Sequence, residues 1–145
     1  MAVSAIADAL VDALQDAGFT EAERRPLPYS KREECADRKC VVIIRNSILS
    51  DGTRFAGDRV YELTIVLQKG VADPHSNDEI DPLLADVETL EELWGADGAL
   101  RHTSLAGATF EEMPEHPTGN LYDPSLLHES KLFMSVTVVR YRLEA

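Results

Sequence analysis

The longest strand-forming run in this chain lies near its end. From Leu132 to Leu143 the side chains alternate. Leu132, Met134, Val136 and Val138 fall on one side; Phe133, Ser135, Thr137, Val139 and Tyr141 fall on the other. Charge enters only at Arg140 and Arg142. A strand apolar on one face and mixed on the other fits an inner strand with one face on a helical layer. Turn chemistry precedes it, with Gly119-Asn120 and Asp123-Pro124, and Ser125–Glu129 suggests a short helical turn.

Ahead of this stretch the period changes twice. Val3, Ile6, Ala7, Leu10, Leu14 and Ala17 recur at helical spacing and predict a helix over Ser4–Ala17. Ser4 is its expected N-cap, Gly18 its expected left-handed stop, and Phe19 is expected to fold back onto the stripe. Thr20–Tyr29 holds Pro26 and Pro28, which allow at most an edge strand there. Ser30–Lys39 is charged and reads as a loop. Cys40–Arg45 carries the β-branched run Val41-Val42-Ile43-Ile44, and Arg59–Lys69 alternates as a half-buried strand does. The Ser47–Gly57 stretch between them, with Asp51-Gly52, predicts a long hairpin loop. Ile80, Leu83, Leu84, Val87, Leu90, Leu93 and Trp94 predict a second helix over Asp78–Trp94, with Pro82 accommodated near its start. A weaker strand is expected over Ala99–Met113, broken at Pro114–Pro117.

The expected fold is α+β. It is a single domain over residues 1–145, built as a two-layer sandwich. A mixed, mostly antiparallel sheet of 4–5 strands carries two amphipathic helices on one face. The strands beginning at Cys40, Arg59 and Leu132 are expected inside the sheet, and the one near Arg24 at an edge.

Charge narrows the functional classes. The formal net charge is −12, which argues against a specific nucleic-acid-binding surface. No window approaches the roughly 18 apolar residues of a membrane helix. MAVSAIADAL has no basic n-region, so the cytoplasm is the expected location. Cys35 and Cys40 do not have the spacing of a zinc or redox pair.

Motifs for chemistry are thin. His128-Glu129 begins like a zincin motif, but the second histidine is replaced by Leu132. Asp73, His75, Asn77 and Asp81 loosely resemble a calcium loop, with Asp78 where glycine is needed and Leu84 in place of the bidentate glutamate. Helix capping is the expected role of those acids. Glu111, Glu112, Glu115 and His116 are candidates for acid–base work or simply a solvated acidic loop. His75 and His102 are expected to be exposed. No catalytic, cofactor-binding or metal-ligating residue is assigned.

Several segments in order carry a family resemblance. These are RRPLPY, CVVIIRN, RVYELTIVLQKG, the acidic DEIDPLLADVETLEELW, and LYDPSLLHESKLF followed by MSVTVVRYRL. Together they resemble bacteriophage and prophage tail-completion proteins, similar to the tail terminators of long-tailed phages. The pattern Tyr-Asp-Pro-x-x-Leu, then Phe-x-Ser-x-hydrophobic-Thr, falls on Tyr122, Asp123, Pro124, Leu127, Phe133, Ser135 and Thr137. The resemblance implies a structural virion protein without a reaction or cofactor. It implies a homo-oligomeric ring, commonly a hexamer, that caps the tail tube and meets a head–tail connector protein. Its place would be the virion tail, and the host cytoplasm during assembly. Ser50, Asp51, Gly52, Thr53, Arg54 and Phe55 are the candidate partner contact, the other reading of that loop being a disordered tip. Three alternatives stay open: another small head–tail joining protein, an enzyme or ligand-binding domain using Glu111–His116, and an acidic module that binds a basic protein.

Overall fold

The computed structural model describes residues 2–50, 59–117 and 119–144, except the side chains of 45–50, 112 and 113. Helix α1 is Ala2–Asp16, α2 is Asn77–Glu92 and α3 is Pro124–Ser130. The strands are β1 (Ala22–Arg24), β2 (Cys40–Ser50), β3 (Arg59–Gly70), β4 (Thr109–Glu115) and β5 (Leu132–Leu143), and a 3₁₀ turn spans Arg32–Cys35. Among the described residues the strands form one five-stranded sheet in the order β1-β2-β3-β5-β4. β1 runs parallel to β2, and the other pairings are antiparallel. The fold is therefore α+β, with β2, β3 and β5 inside the sheet and β1 at an edge, as the periodicity predicts.

Both long helices lie on one face. α1 buries Val3, Ile6, Ala7, Leu10 and Leu14, and α2 buries Ile80, Leu83, Val87 and Leu90. They meet Val41 and Ile43 of β2, Leu63, Ile65 and Leu67 of β3, and Phe133, Val139 and Tyr141 of β5. Each such side chain taken fully from water contributes on the order of 1.5–3 kcal/mol. It is thus the mixed side of β5, not its wholly apolar side, that packs under the helices. α1 begins at Ala2, so Ser4 sits inside its first turn rather than capping it. The other end is as expected: Gly18 has φ +108, its N–H donates to the Gln15 carbonyl at 3.2 Å, and that of Phe19 donates to the Leu14 carbonyl at 2.9 Å. That double bond with buried Phe19 folded back is a Schellman stop. Pro82 is the sixth residue of α2, beyond the unpaired first turn, and it removes one helix hydrogen bond.

The opposite face of the sheet is also partly covered, so β3 is buried on both sides along most of its length rather than half-buried. Cys40, Val42, Val66 and Leu132 form a second core with Tyr29 and Cys35. The cover is the irregular chain around the 3₁₀ turn, where a plain loop is expected. Gln68 fixes it. Its side-chain oxygen accepts from the Tyr29 N–H at 2.9 Å and its Nε2 donates to the Tyr29 carbonyl at 2.7 Å. One buried amide thereby imitates a strand pairing. Gly70 permits the approach, because a Cβ there would lie 2.5 Å from the Arg32 carbonyl oxygen.

The fourth strand also departs from expectation. β4 runs through Pro114 to Glu115 instead of breaking there. It is an edge strand with bulges between Phe110 and Glu112 and between Glu112 and Glu115, where a missing N–H is tolerated.

Trp94 and Tyr141 tie α2's exit to the sheet. Both are fully buried, and the indole Nε1 donates to the Tyr141 hydroxyl at 2.8 Å. Burial pushes the Tyr141 phenol from its ordinary 10.0 up to about 12, while its bond to Trp94 acts in the opposite direction. The folded value is raised, so this group's contribution to stability is complete below pH about 10 and is lost as pH rises towards about 12. Tyr141→Phe should cost about 1–3 kcal/mol at neutral pH by orphaning the indole N–H. It should also remove this alkaline component, as urea unfolding curves from pH 7 to pH 12 will report.

Candidate functional site

Of the candidate contact residues, Ser50 ends β2 with its backbone opposite Arg59. Asp51, Gly52, Thr53, Arg54 and Phe55 lie outside the described residues.

Among the described side chains of the acidic segment, Glu111, Glu115 and His116 each bind a different partner, and the Glu112 side chain lies outside the described residues. Glu111 binds Arg142, at 2.6 Å from its Nη2, and Glu115 binds Arg140 at 2.8 Å. Arg140 also reaches Glu62 at 3.0 Å, extending the ladder across to β3. His116 turns away from these carboxylates. Its Nδ1 donates to the Val136 carbonyl at 2.8 Å, and its Nε2 contacts the Glu91 carboxylate of α2. These side chains pin β4 to β5 and to α2. The loose calcium-like acids behave as loop and helix-start groups. Glu79 accepts from the backbone N–H groups of Ala72 and Asp73, and Asp73 accepts from that of His75. His75 and His102 are exposed, as expected, and the rings of His75 and His128 meet edge-on at 5.8 Å. Among the described residues no three His, Cys, Asp or Glu side chains come together as metal ligands, and no helix is long and apolar enough to cross a membrane.

Tyr122, Asp123, Pro124, Leu127 and Phe133 lie together where α3 leads into β5. Asp123 caps α3 by accepting from the Leu126 N–H at 3.1 Å, with Pro124 in the first turn. Leu127 is buried, and α3 ends at Lys131 in the left-handed conformation. Tyr122 stacks on Phe133 at 5.2 Å between centroids, and the Asp123 N–H donates to the Met134 carbonyl at 3.0 Å. Ser135 and Thr137 point into the helix-covered core. Among the described residues, their hydroxyls have no hydrogen-bond partner.

This unit borders a cleft of about 250 Å³ where β4 has ended and β5 continues. Pro117, Tyr122, Pro124, Met134 and Val136 supply its apolar lining, with Asn120 and Asp123 as polar lining groups. The volume is below the roughly 300–1,000 Å³ usual for small-molecule sites. Periodicity could not reveal this cleft, since it depends on how Asn120–Pro124 lies against Met134 and Val136 of β5. The only local signal is the cluster of prolines and Tyr122 beside an alternating strand.

The cysteines are free and buried. Burial, with the Cys40 thiol alongside, pushes the Cys35 thiol up to about 12.

No protein-family model and no curated protein matches this chain.

The environments of β5 and Cys35 lead to two expectations. Thr137→Val and Ser135→Ala should leave stability unchanged or raise it by up to about 1 kcal/mol, because each removes a buried hydroxyl with no described partner. Equilibrium unfolding of the single variants measures this. At pH 8 the raised pKa keeps Cys35 in its thiol form and burial shields it, so a disulfide reagent should leave it unmodified in the native protein and react after denaturation.

Proposed function

We propose that this chain is a structural protein of a phage or prophage virion. In this reading it resembles the tail terminators, assembles as a ring on the finished tail tube, and presents a face to the head–tail connector protein. The observation that carries the reading is the C-terminal unit. Tyr122, Asp123, Pro124, Leu127 and Phe133, which bear the resemblance, act together as cap, helix and stacked ring against β5. Together they form one local unit of this chain, in which Asp123 caps α3 and Tyr122 stacks on Phe133.

Two further features support it. The sheet ends on one side in a three-residue strand and on the other in a bulged strand containing proline. Such edges avoid indiscriminate strand pairing and leave room for a defined neighbour. The charge of −12 suits an inner surface past which DNA must slide without sticking.

Light scattering on a size-exclusion column, over a concentration series, is expected to give a closed ring of about six subunits. Electron microscopy with purified tail tubes is expected to place the chain at one tube end. A protein that stays monomeric and also fails to bind tail tubes is not a terminator, and a ligand screen on the Glu111–His116 face becomes the next step.

A further inference from the structure

Two histidines from different segments meet at the surface. His75 lies in the loop before α2, and His128 lies on α3. Their rings stand edge-on with centroids 5.8 Å apart. Both line a second cavity, of about 170 Å³, together with Pro74, Tyr122, Pro124 and Leu127. Among the described residues neither ring makes a hydrogen bond or an ion pair. His116 is the contrast, with its two ring nitrogens engaged by Val136 and Glu91.

The backbone on both sides is held. The His75 N–H donates to Asp73 Oδ1 at 2.9 Å, and Glu79 of α2 accepts from the N–H groups of Ala72 and Asp73. Opposite, Asp123 caps α3, and Leu127 beside His128 is buried. The two segments are also tied to each other, because the Val71 N–H donates to the Lys131 carbonyl at 2.9 Å. The folded backbone therefore brings the imidazoles together, and little remains to be ordered when a ligand arrives. Their spacing suits a shared ion. Zinc–nitrogen bonds of about 2.0–2.1 Å put the centroids of two imidazoles on one ion about 5–6 Å apart, at bond angles of about 110–130°. The cavity far exceeds the roughly 10–15 Å³ that a single water needs, so further ligands fit beside the ion.

We propose that His75 and His128 form a binding site for a divalent transition-metal ion of the zinc class. The inference stands apart from the ring reading and needs no second copy. Imidazole suits zinc, copper and nickel, whereas calcium and magnesium take oxygen ligands. The pair supplies two nitrogens, and among the described residues no third His, Cys, Asp or Glu completes a ligand set. The other coordination positions therefore belong to water or to an incoming ligand. The net charge of −12 favours a cation over an anion. The half-motif His128-Glu129 thus finds, on the loop before α2, the second imidazole that its own segment lacks. A bound ion would bridge α3 to that loop.

The test is a zinc titration of the tag-free full chain at neutral pH, by calorimetry, as wild type, His75→Gln, His128→Gln and His102→Gln. All three side chains are exposed, and circular dichroism reports folding. Wild type is expected to bind one zinc ion per chain. His75→Gln and His128→Gln should each bind at least about tenfold more weakly, and His102→Gln should bind as wild type does. A second measurement needs no variant: in nitrogen–proton NMR spectra of wild type, the ring signals of His75 and His128 should shift together and stop at one equivalent of zinc. The site is refuted if wild type binds no zinc at about 1 mM free ion. It is equally refuted if folded His75→Gln or His128→Gln binds like wild type, if His102→Gln weakens binding as much, or if the two rings respond at different zinc concentrations. None of these outcomes bears on the tail reading, which the tail-tube experiment tests by itself.

Discussion

The Gln68 amide is the interaction on which the second half of this structure depends. A buried amide without partners costs several kcal/mol, yet this one lies in the middle of the sheet with no solvent access. It is stable there because its oxygen and nitrogen bond both backbone groups of Tyr29. The irregular chain from β1 to β2 is thereby held down over Val42, Val66 and Leu132, the side of the sheet opposite the two long helices. Its neighbours reinforce the same closure. The Arg32 Nε donates to the Val71 carbonyl at 2.7 Å, and the Lys69 Nζ donates to the Ala36 carbonyl at 2.8 Å.

The two faces of the sheet are therefore closed by different physics. Helical stripes close one by apolar burial. The other is divided along the strands, with the clamped loop over one end and the Glu62–Arg140–Glu115 and Arg142–Glu111 pairs at the other. These pairs are only partly withdrawn from water, so each contributes modestly and chiefly sets the register of β4 against β5. This division explains why the acidic segment looked like chemistry in the sequence and holds the edge strand in the fold. It also frames the functional reading. Glu111 and Glu115 are occupied by arginines and His116 by Glu91, and beside them β5 borders a small, mostly apolar cleft.

The α+β class, the edge position of β1, the inner position of β2, β3 and β5, and the helical stripes could all be read from the order of residues. They depend on local period and on glycine and proline, which act within a few residues. Pro114 was misread as a break because its tolerance depends on β4 being an edge strand, a property of the sheet. Ser4 was misread as a cap because the apolar stripe marks where a helix packs, and Ala2 extends it without adding to the buried set.

Little of the site was legible in that way. The sequence by itself determined which residues favour strand, helix and turn, and it placed the Tyr122–Leu127 segment and the alternation of β5 within one recognisable stretch. Only the tertiary structure decided which side of β5 meets the helices, that Gln68 binds Tyr29 across 39 residues, and that Leu27 stays in water while a cleft opens beside β5. Period and propensity concern neighbours along the chain. A clamp, a cleft and an exposed leucine depend on distances between segments, and those exist only once the sheet has set its order.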